Sequence, residues 1–223
     1  MEEEYTGIVI RTIHFNESSE IVHVLTNQGI ISVMVKGARR YKSHKLSFCI
    51  PMTKVSFKVT SSKISSLIDY TILNDYSIIK EDLKKNLWFS YILEIVNKLP
   101  DNSYYRNIYN LIDKIFELGS FNNPMLLIMI AQTKLLKIYG VEPELKKCVI
   151  CGKPNLDFFS ISNGGFVCNN CSANDKTNAK PYLDIRTLYY FDIYNGNLND
   201  LSNIDLKDVF LNLKAYYDYY VDI

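Results

Sequence analysis

The chain has 223 residues, 48% of them hydrophobic and 22% charged, with 25 Lys and Arg against 24 Asp and Glu. That length and balance allow a buried core and exclude a disordered or fibrous chain. The longest apolar run, Pro124 to Ala131, gives way to Gln132 and Lys134, well short of the ~20 residues of a membrane span. The opening Met1-Glu2-Glu3-Glu4 is acidic where a secretory or transit segment is basic. A cytoplasmic location with reduced thiols is therefore expected.

The front of the chain reads as strands. Tyr5 to Ile13 is β-branched and apolar; Glu20 to Thr26 and Ile30 to Val35 flank Asn27-Gln28-Gly29, a hairpin signature. From Met52 to Thr60 the pattern has period two, with Val55, Phe57 and Val59 on one face and Lys54, Ser56 and Lys58 on the other. Lys63 to Asn74 reads as a further strand. Several short strands in so little chain predict a small closed barrel, because closure removes exposed edges.

The period then changes to that of a helix, with a boundary expected between residues 76 and 82. Leu87, Tyr91 and Ile95 form one stripe, with Trp88, Ile92 and Val96 beside it, and Pro100 ends the segment. Ile108, Leu111, Ile112, Ile115 and Phe116 form a second stripe. A third helix starts at Asn123-Pro124 and stops at Gly140. After the cysteine segment, helices resume near Asp184, and the last carries Leu206, Val209, Phe210, Leu213, Tyr217 and Tyr220. The paired tyrosines 216–217 and 219–220 read as core and interface. The predicted class is α+β: a barrel over residues 1–80, then helices over 81–223 with a cysteine module at 145–180.

Four of the five cysteines form Cys148-x2-Cys151 and Cys168-x2-Cys171, sixteen residues apart. Two intervening residues let one tight turn aim two thiolates at a single ion, and Gly152 permits the positive φ such turns use. Four sulfurs in tetrahedral array suit one structural Zn2+ and leave no open position for water. Two disulfides, an empty site of four buried thiols and an iron–sulfur cluster are the other readings; the spacing favours zinc. Cys49, beside Phe48 and Ile50, reads as a small buried hydrophobe.

Between Ile21 and Ile68 there is no acid, but there are eight basic residues: Lys36, Arg39, Arg40, Lys42, Lys45, Lys54, Lys58 and Lys63. The rest of the chain is mildly acidic, so the positive charge is segregated, as a polyanion-binding surface requires. Its densest part, Lys36 to Lys45, holds Tyr41, on which an unpaired base could stack, and Gly37, where backbone could approach a phosphate. A merely solvated loop is the plain alternative. No G-x4-G-K-[ST], H-E-x-x-H or H-x-E pattern is present. A binding protein is expected, not an enzyme.

The order of these parts resembles the RecO family of bacterial DNA repair and recombination mediators. The likeness rests on Gly7-Ile8-Val9, Glu17 to Leu25, Thr26-x2-Gly29, Lys36-Gly37-Ala38-Arg39-Arg40 with Lys42-Ser43, and Leu135-Leu136 with Gly140 and Pro143. The cysteine pairs with Phe158 and Gly164-Gly165 complete it, so it covers nearly the whole chain. The resemblance implies an OB-fold barrel, a helical bundle and an embedded zinc module. It implies single- and double-stranded DNA as partners, annealing of complementary strands, and RecA loading onto strands coated by single-strand-binding protein. RecR and the tail of single-strand-binding protein are the protein partners it implies, with a cytoplasmic, nucleoid-associated location. DNA contact is carried onto Lys36, Arg39, Arg40, Lys42 and Lys45, and from charge and stacking onto Tyr41, Lys54 and Lys58. A zinc-ribbon protein of RNA or ribosomes, and a scaffold for an acidic protein, are the rival expectations.

Overall fold

A computed structural model describes residues 2–61, 65–100, 104–172 and 183–221. It divides into two compact units, Met1–Pro124 and Met125–Ile223. The change of pattern read at residues 76–82 is a change of element type, whereas the first unit also contains three helices packed with the strands. The class is α+β, with the barrel strands first in the chain and most helices after them.

In the first unit five strands close into a barrel in the order β1-β2-β3-β5-β4: β1 Glu2–Phe15, β2 Ser19–Thr26, β3 Ile30–Val35, β4 Lys54–Thr60 and β5 Ser65–Asn74. β1 is longer than its apolar run because its two ends serve different neighbours. Residues 2–8 pair with β4 and residues 7–15 with β2. The exposed Glu2, Glu3 and Glu4 belong to it through backbone pairing with β4, to which Glu3 adds a bond accepted from Ser61 Oγ at 2.8 Å. Thr26 and Gly29 close the predicted hairpin, N to O at 2.9 Å. β3 and β5 close the ring with a short parallel pairing, Val33 to Ser65 and Met34 to Ser66. The core is filled by Val9, Val22, Val24, Val33, Val55, Phe57 and Val59. The period-two reading of β4 therefore holds, and Cys49 joins this core as a buried apolar residue. Lys63, read as the start of β5, lies outside the described residues.

α1 (Ser77–Glu81), α2 (Leu83–Asn97) and α3 (Tyr105–Gly119) follow. α1 is too short to show a helical period and went unpredicted. Asp82 starts α2 by accepting from the Lys84 and Lys85 amides. The stripe read on α2 needs correction: Leu87 is 62% exposed, and Phe89, Ile92, Leu93, Ile95 and Val96 are buried. Apolar side chains occur around most of this helix, so periodicity alone does not select its inner face. α3 buries Ile108, Leu111, Ile112, Ile115 and Phe116, the predicted stripe.

Gly119 ends α3 against α1 and α2. A Cβ there would lie 2.3 Å from Phe89 Cζ and 2.8 Å from Ile79 Cδ1, both in the buried core. Gly119→Ala is expected to destabilise the protein by about 1–3 kcal/mol, the range for overpacking, as a lower thermal midpoint. An unchanged midpoint would show that the rings yield without cost.

The second unit begins with α4 (Pro124–Ile138), followed by the β6–β7 hairpin (Phe158–Ser160, Gly165–Val167), α5 (Asn169–Ser172), α6 (Leu183–Tyr190) and α7 (Leu206–Tyr220). α4 stops where expected: the Gly140 and Val141 amides bond the Lys137 and Leu136 carbonyls. Lys134 Nζ donates to the carbonyls of Tyr189 and Phe191 at 3.0 and 2.8 Å, tying down the end of α6. Burial lowers the pKa of that ammonium. Tyr216 and Tyr217 are core, as read, and donate to the Val141 and Gln132 carbonyls; Tyr219 is exposed. No helix among the described residues is long and apolar enough to cross a membrane.

Candidate functional site

Two constellations carry chemistry, one in each unit. The first is the segment between β3 and the 3-10 turn His44–Cys49. Lys36, Arg39, Arg40, Tyr41 and Lys42 are exposed and Lys45 is half-buried. Tyr41 is 92% exposed, with Lys42 Nζ 5.5 Å from its ring centroid. Lys45 Nζ reaches back to the Lys36 carbonyl at 3.4 Å, drawing the two ends of the segment together. Among the described residues Lys36, Arg40, Lys42 and Lys45 carry no ion pair.

The segment is short of regular structure but not of fixed contacts. Gly37 has φ +70° and Lys42 φ +62°, and the amides of Arg40 and Ser43 bond the carbonyls of Gly37 and Arg40. Its root is fastened to the β1–β2 turn. The Arg39 amide donates to the Ser18 carbonyl at 3.0 Å, the Gly37 amide to Ser19 Oγ at 3.4 Å, and the Arg39 guanidinium to the Asn16 carbonyl. Arg39 Nε also lies 3.4 Å from Glu20 Oε1. So of the loop cations read from the sequence, Arg39 is the one with a carboxylate partner among the described residues.

Two other residues read as part of this surface stand apart. Lys54 Nζ is 2.7 Å from Asp113 Oδ2 on α3, with side chains 22% and 19% exposed. This masks its charge and makes it a tie between β4 and α3. Lys58 is 3.7 Å from Glu4 across the β1–β4 pairing, with both side chains well exposed. Such a surface pair contributes at most about 1 kcal/mol. No hydrogen bond or ion pair joins Lys54 or Lys58 to the loop among the described residues. Lys63 lies outside the described residues.

Sequence reasoning missed Glu20. It was the last acid before the acid-free stretch, yet it shares the inward face of β2 with Val22 and Val24. A glutamate in phase with buried valines was the available signal.

The second constellation is the cysteine cluster. All five cysteines are free of disulfides, and the Sγ atoms of Cys148, Cys151, Cys168 and Cys171 lie within 4.8 Å of one another. The first pair sits on a tight turn, Gly152 N to Cys148 O at 2.8 Å, with Gly152 at φ +74°. Such a φ suits glycine and strains an alanine. The second pair follows β7, where the Cys171 and Ser172 amides bond the Cys168 carbonyl at 2.9 and 3.0 Å. The Val149 amide donates to the Phe166 carbonyl at 2.8 Å, joining the first turn to β7. Val167 and Phe158 pack against the cysteines. Residues 173–180 of the predicted module lie outside the described residues.

Burial opposes ionisation of Cys148, but amide hydrogen bonds from Cys151, Cys168 and Ile150 outweigh it and bring the thiol down to about 6. Cys171 moves up to about 12, mainly because its proton is held in hydrogen bonds with Cys168 and Cys151. The cluster thus already favours one thiolate among converging sulfurs. These four residues could hold a metal ion.

Comparison with known proteins adds to this geometry. The family described as "Recombination protein O N terminal" matches residues 1–76, and "Recombination protein O C terminal" matches residues 80–223. A DNA repair protein RecO of Halalkalibacterium halodurans is 31% identical, covering 96% of this chain and 88% of that protein. The DNA repair protein RecO of Bacillus pumilus is 29% identical over 96% of this chain and 87% of its own length. That of a Bacillus cereus strain is 29% identical over 100% and 94%.

Proposed function

The chain belongs to the recombination protein O family, and from that premise we propose that it is a non-enzymatic, DNA-binding recombination mediator of the cytoplasm. It binds single- and double-stranded DNA, anneals complementary strands, and promotes RecA loading onto strands coated by single-strand-binding protein. RecR and the tail of single-strand-binding protein are its protein partners. The strand order β1-β2-β3-β5-β4 supports reading the barrel as an OB-fold, with residues 1–80 as the DNA-binding domain and 81–223 as a helical domain.

One observation carries this reading: an outward loop with four cations that no carboxylate pairs among the described residues, in the same segment as an almost fully exposed tyrosine. Lys36, Arg40, Lys42 and Lys45 are the proposed phosphate contacts, with Lys58 a further one on β4. Tyr41 is the base-stacking platform. Neutralising phosphates on this loop lowers the repulsion between two strands and so eases their pairing. Lys54 is left out, since its charge is matched by Asp113.

One zinc ion held by Cys148, Cys151, Cys168 and Cys171 serves as a structural staple. A tetrahedral site with Zn–S of ~2.3 Å spaces its sulfurs by ~3.8 Å. The 3.7 Å between Cys151 and Cys168 Sγ supports the fit. When bound, the metal supplies folding energy and no reactive position.

The test is fluorescence anisotropy with a labelled single strand across a salt series. The logarithm of affinity is expected to fall linearly with the logarithm of salt, with a slope of roughly −0.7 per phosphate contacted. A flat response would rule out phosphate neutralisation as the basis of binding.

A further inference from the structure

Glu20 occupies the first inward position of β2 and is 2% exposed. A carboxylate so placed loses its hydration and needs partners. It has two. His14 Nδ1 lies 2.8 and 2.9 Å from its two oxygens, and Arg39 Nε lies 3.4 Å from Oε1. Arg39 in turn reaches the Asn16 carbonyl with its guanidinium and the Ser18 carbonyl with its amide. The root of the basic loop is therefore held by a buried anion on one side and by the β1–β2 turn on the other. Ala38, next to Arg39, is 1% exposed and belongs to the barrel core, so the pivot is anchored there too. Glu20 also acts on its surroundings: the Cys49 thiol is pushed up to about 12, first by burial and then by this carboxylate.

We propose that Glu20 and Arg39 are positioning residues that set the bound geometry of the DNA-contacting loop, and that Arg39 does not itself take a phosphate. This rests on the DNA-binding reading above and assigns different work to neighbouring cations. Arg39 spends its charge inward, while Arg40 and Lys42 point theirs at solvent. Fixing the loop before DNA arrives removes an ordering cost from binding, since a loop that visits the competent geometry only part of the time weakens affinity by that fraction.

The proposal makes a sign prediction that simple charge arithmetic reverses. Deleting an acid beside a basic loop should strengthen binding to a polyanion. If Glu20 positions the loop, Glu20→Gln should weaken single-strand affinity, by roughly tenfold if the loop then holds the competent geometry about a tenth of the time. The salt slope should stay at the wild-type value, because the number of phosphates met in the complex is the same. Arg39→Lys keeps the charge but loses the planar fork that spans Glu20 and Asn16. It should show the same pattern, weaker binding with an unaltered slope. Arg40→Ala, in contrast, should make the slope shallower by roughly 0.7.

The experiment is anisotropy with a labelled single strand over a salt series for wild type, Glu20→Gln, Arg39→Lys, Arg39→Ala and Arg40→Ala. Thermal melts report folding; should Glu20→Gln fail to fold, Arg39→Lys decides. Equal or tighter binding by folded Glu20→Gln, full affinity in Arg39→Lys, or a shallower slope in Arg39→Ala overturns the positioning role. An unaltered slope in Arg40→Ala counts against the loop as the DNA site, a separate failure from the first three.

Discussion

Replacing Cys148 by serine is expected to abolish stoichiometric zinc and loosen the segment from Glu144 to Ser172, without unfolding the first unit. Four converging thiols reward a metal because each coordinated thiolate adds binding energy that only the folded module can collect, so binding energy is folding energy. The β6–β7 hairpin has only three residues per strand, and the hydrophobic cluster under the cysteines is small. A hairpin of that size is not stable alone in water. Structural zinc supplies ~10–16 kcal/mol in comparable small sites, so losing one thiolate should cost the module at least about 3 kcal/mol.

Three readings check this. Metal analysis should give about one zinc per wild-type chain and far less for Cys148→Ser. Hydrogen exchange should lose protection at the Phe166 and Val149 amides, whose partners are Glu144 and Phe166 carbonyls. Thiol titration of the chelated, denatured wild type without reductant should find all five cysteines, since none is in a disulfide. Wild-type protein purified without zinc, with the variant melting as it does, would leave the four thiols as ordinary packing. Single-strand affinity should change little, because the loop stands in the other unit with a core of its own.

What could be read from the sequence follows from how local each signal is. The cysteine spacing is a local constraint, and the structure gathers those four sulfurs as the spacing requires. The alternation of Val55, Phe57 and Val59 is likewise local and gave the inner face of β4 correctly. The stripe on α2 failed because a helix apolar on several sides leaves its buried face to tertiary packing. Lys54 shows the same limit for charge. On its strand it reads as an exposed cation, and only the fold reveals Asp113, 59 residues away. An acid-free stretch in sequence guarantees nothing about acids in space.

The strongest expected change in DNA binding comes from removing Lys36, Arg40 and Lys42 together as alanines. These three are exposed and carry no ion pair among the described residues, so their loss should spare the fold. Each phosphate contact to a single strand adds ~0.7 to the salt slope, which at about 0.1 M salt makes counterion release worth roughly fivefold per contact. Three contacts together then predict about a hundredfold loss, with the slope shallower by roughly 2. Lys54→Ala is the control: it removes a cation from the same barrel and takes from Asp113 its ion-pair partner. It should lower the melting midpoint and leave the slope alone, so a drop in affinity tracking the slope cannot be blamed on net charge. Competition by RNA of the same sequence sorts the remaining alternatives: stronger competition than DNA would point to an RNA-directed protein. If the triple variant kept both affinity and slope, the loop would be an ordinary wet surface. The nucleic acid would then have to meet the protein elsewhere, starting from Lys58, the remaining solvent-facing cation of β4.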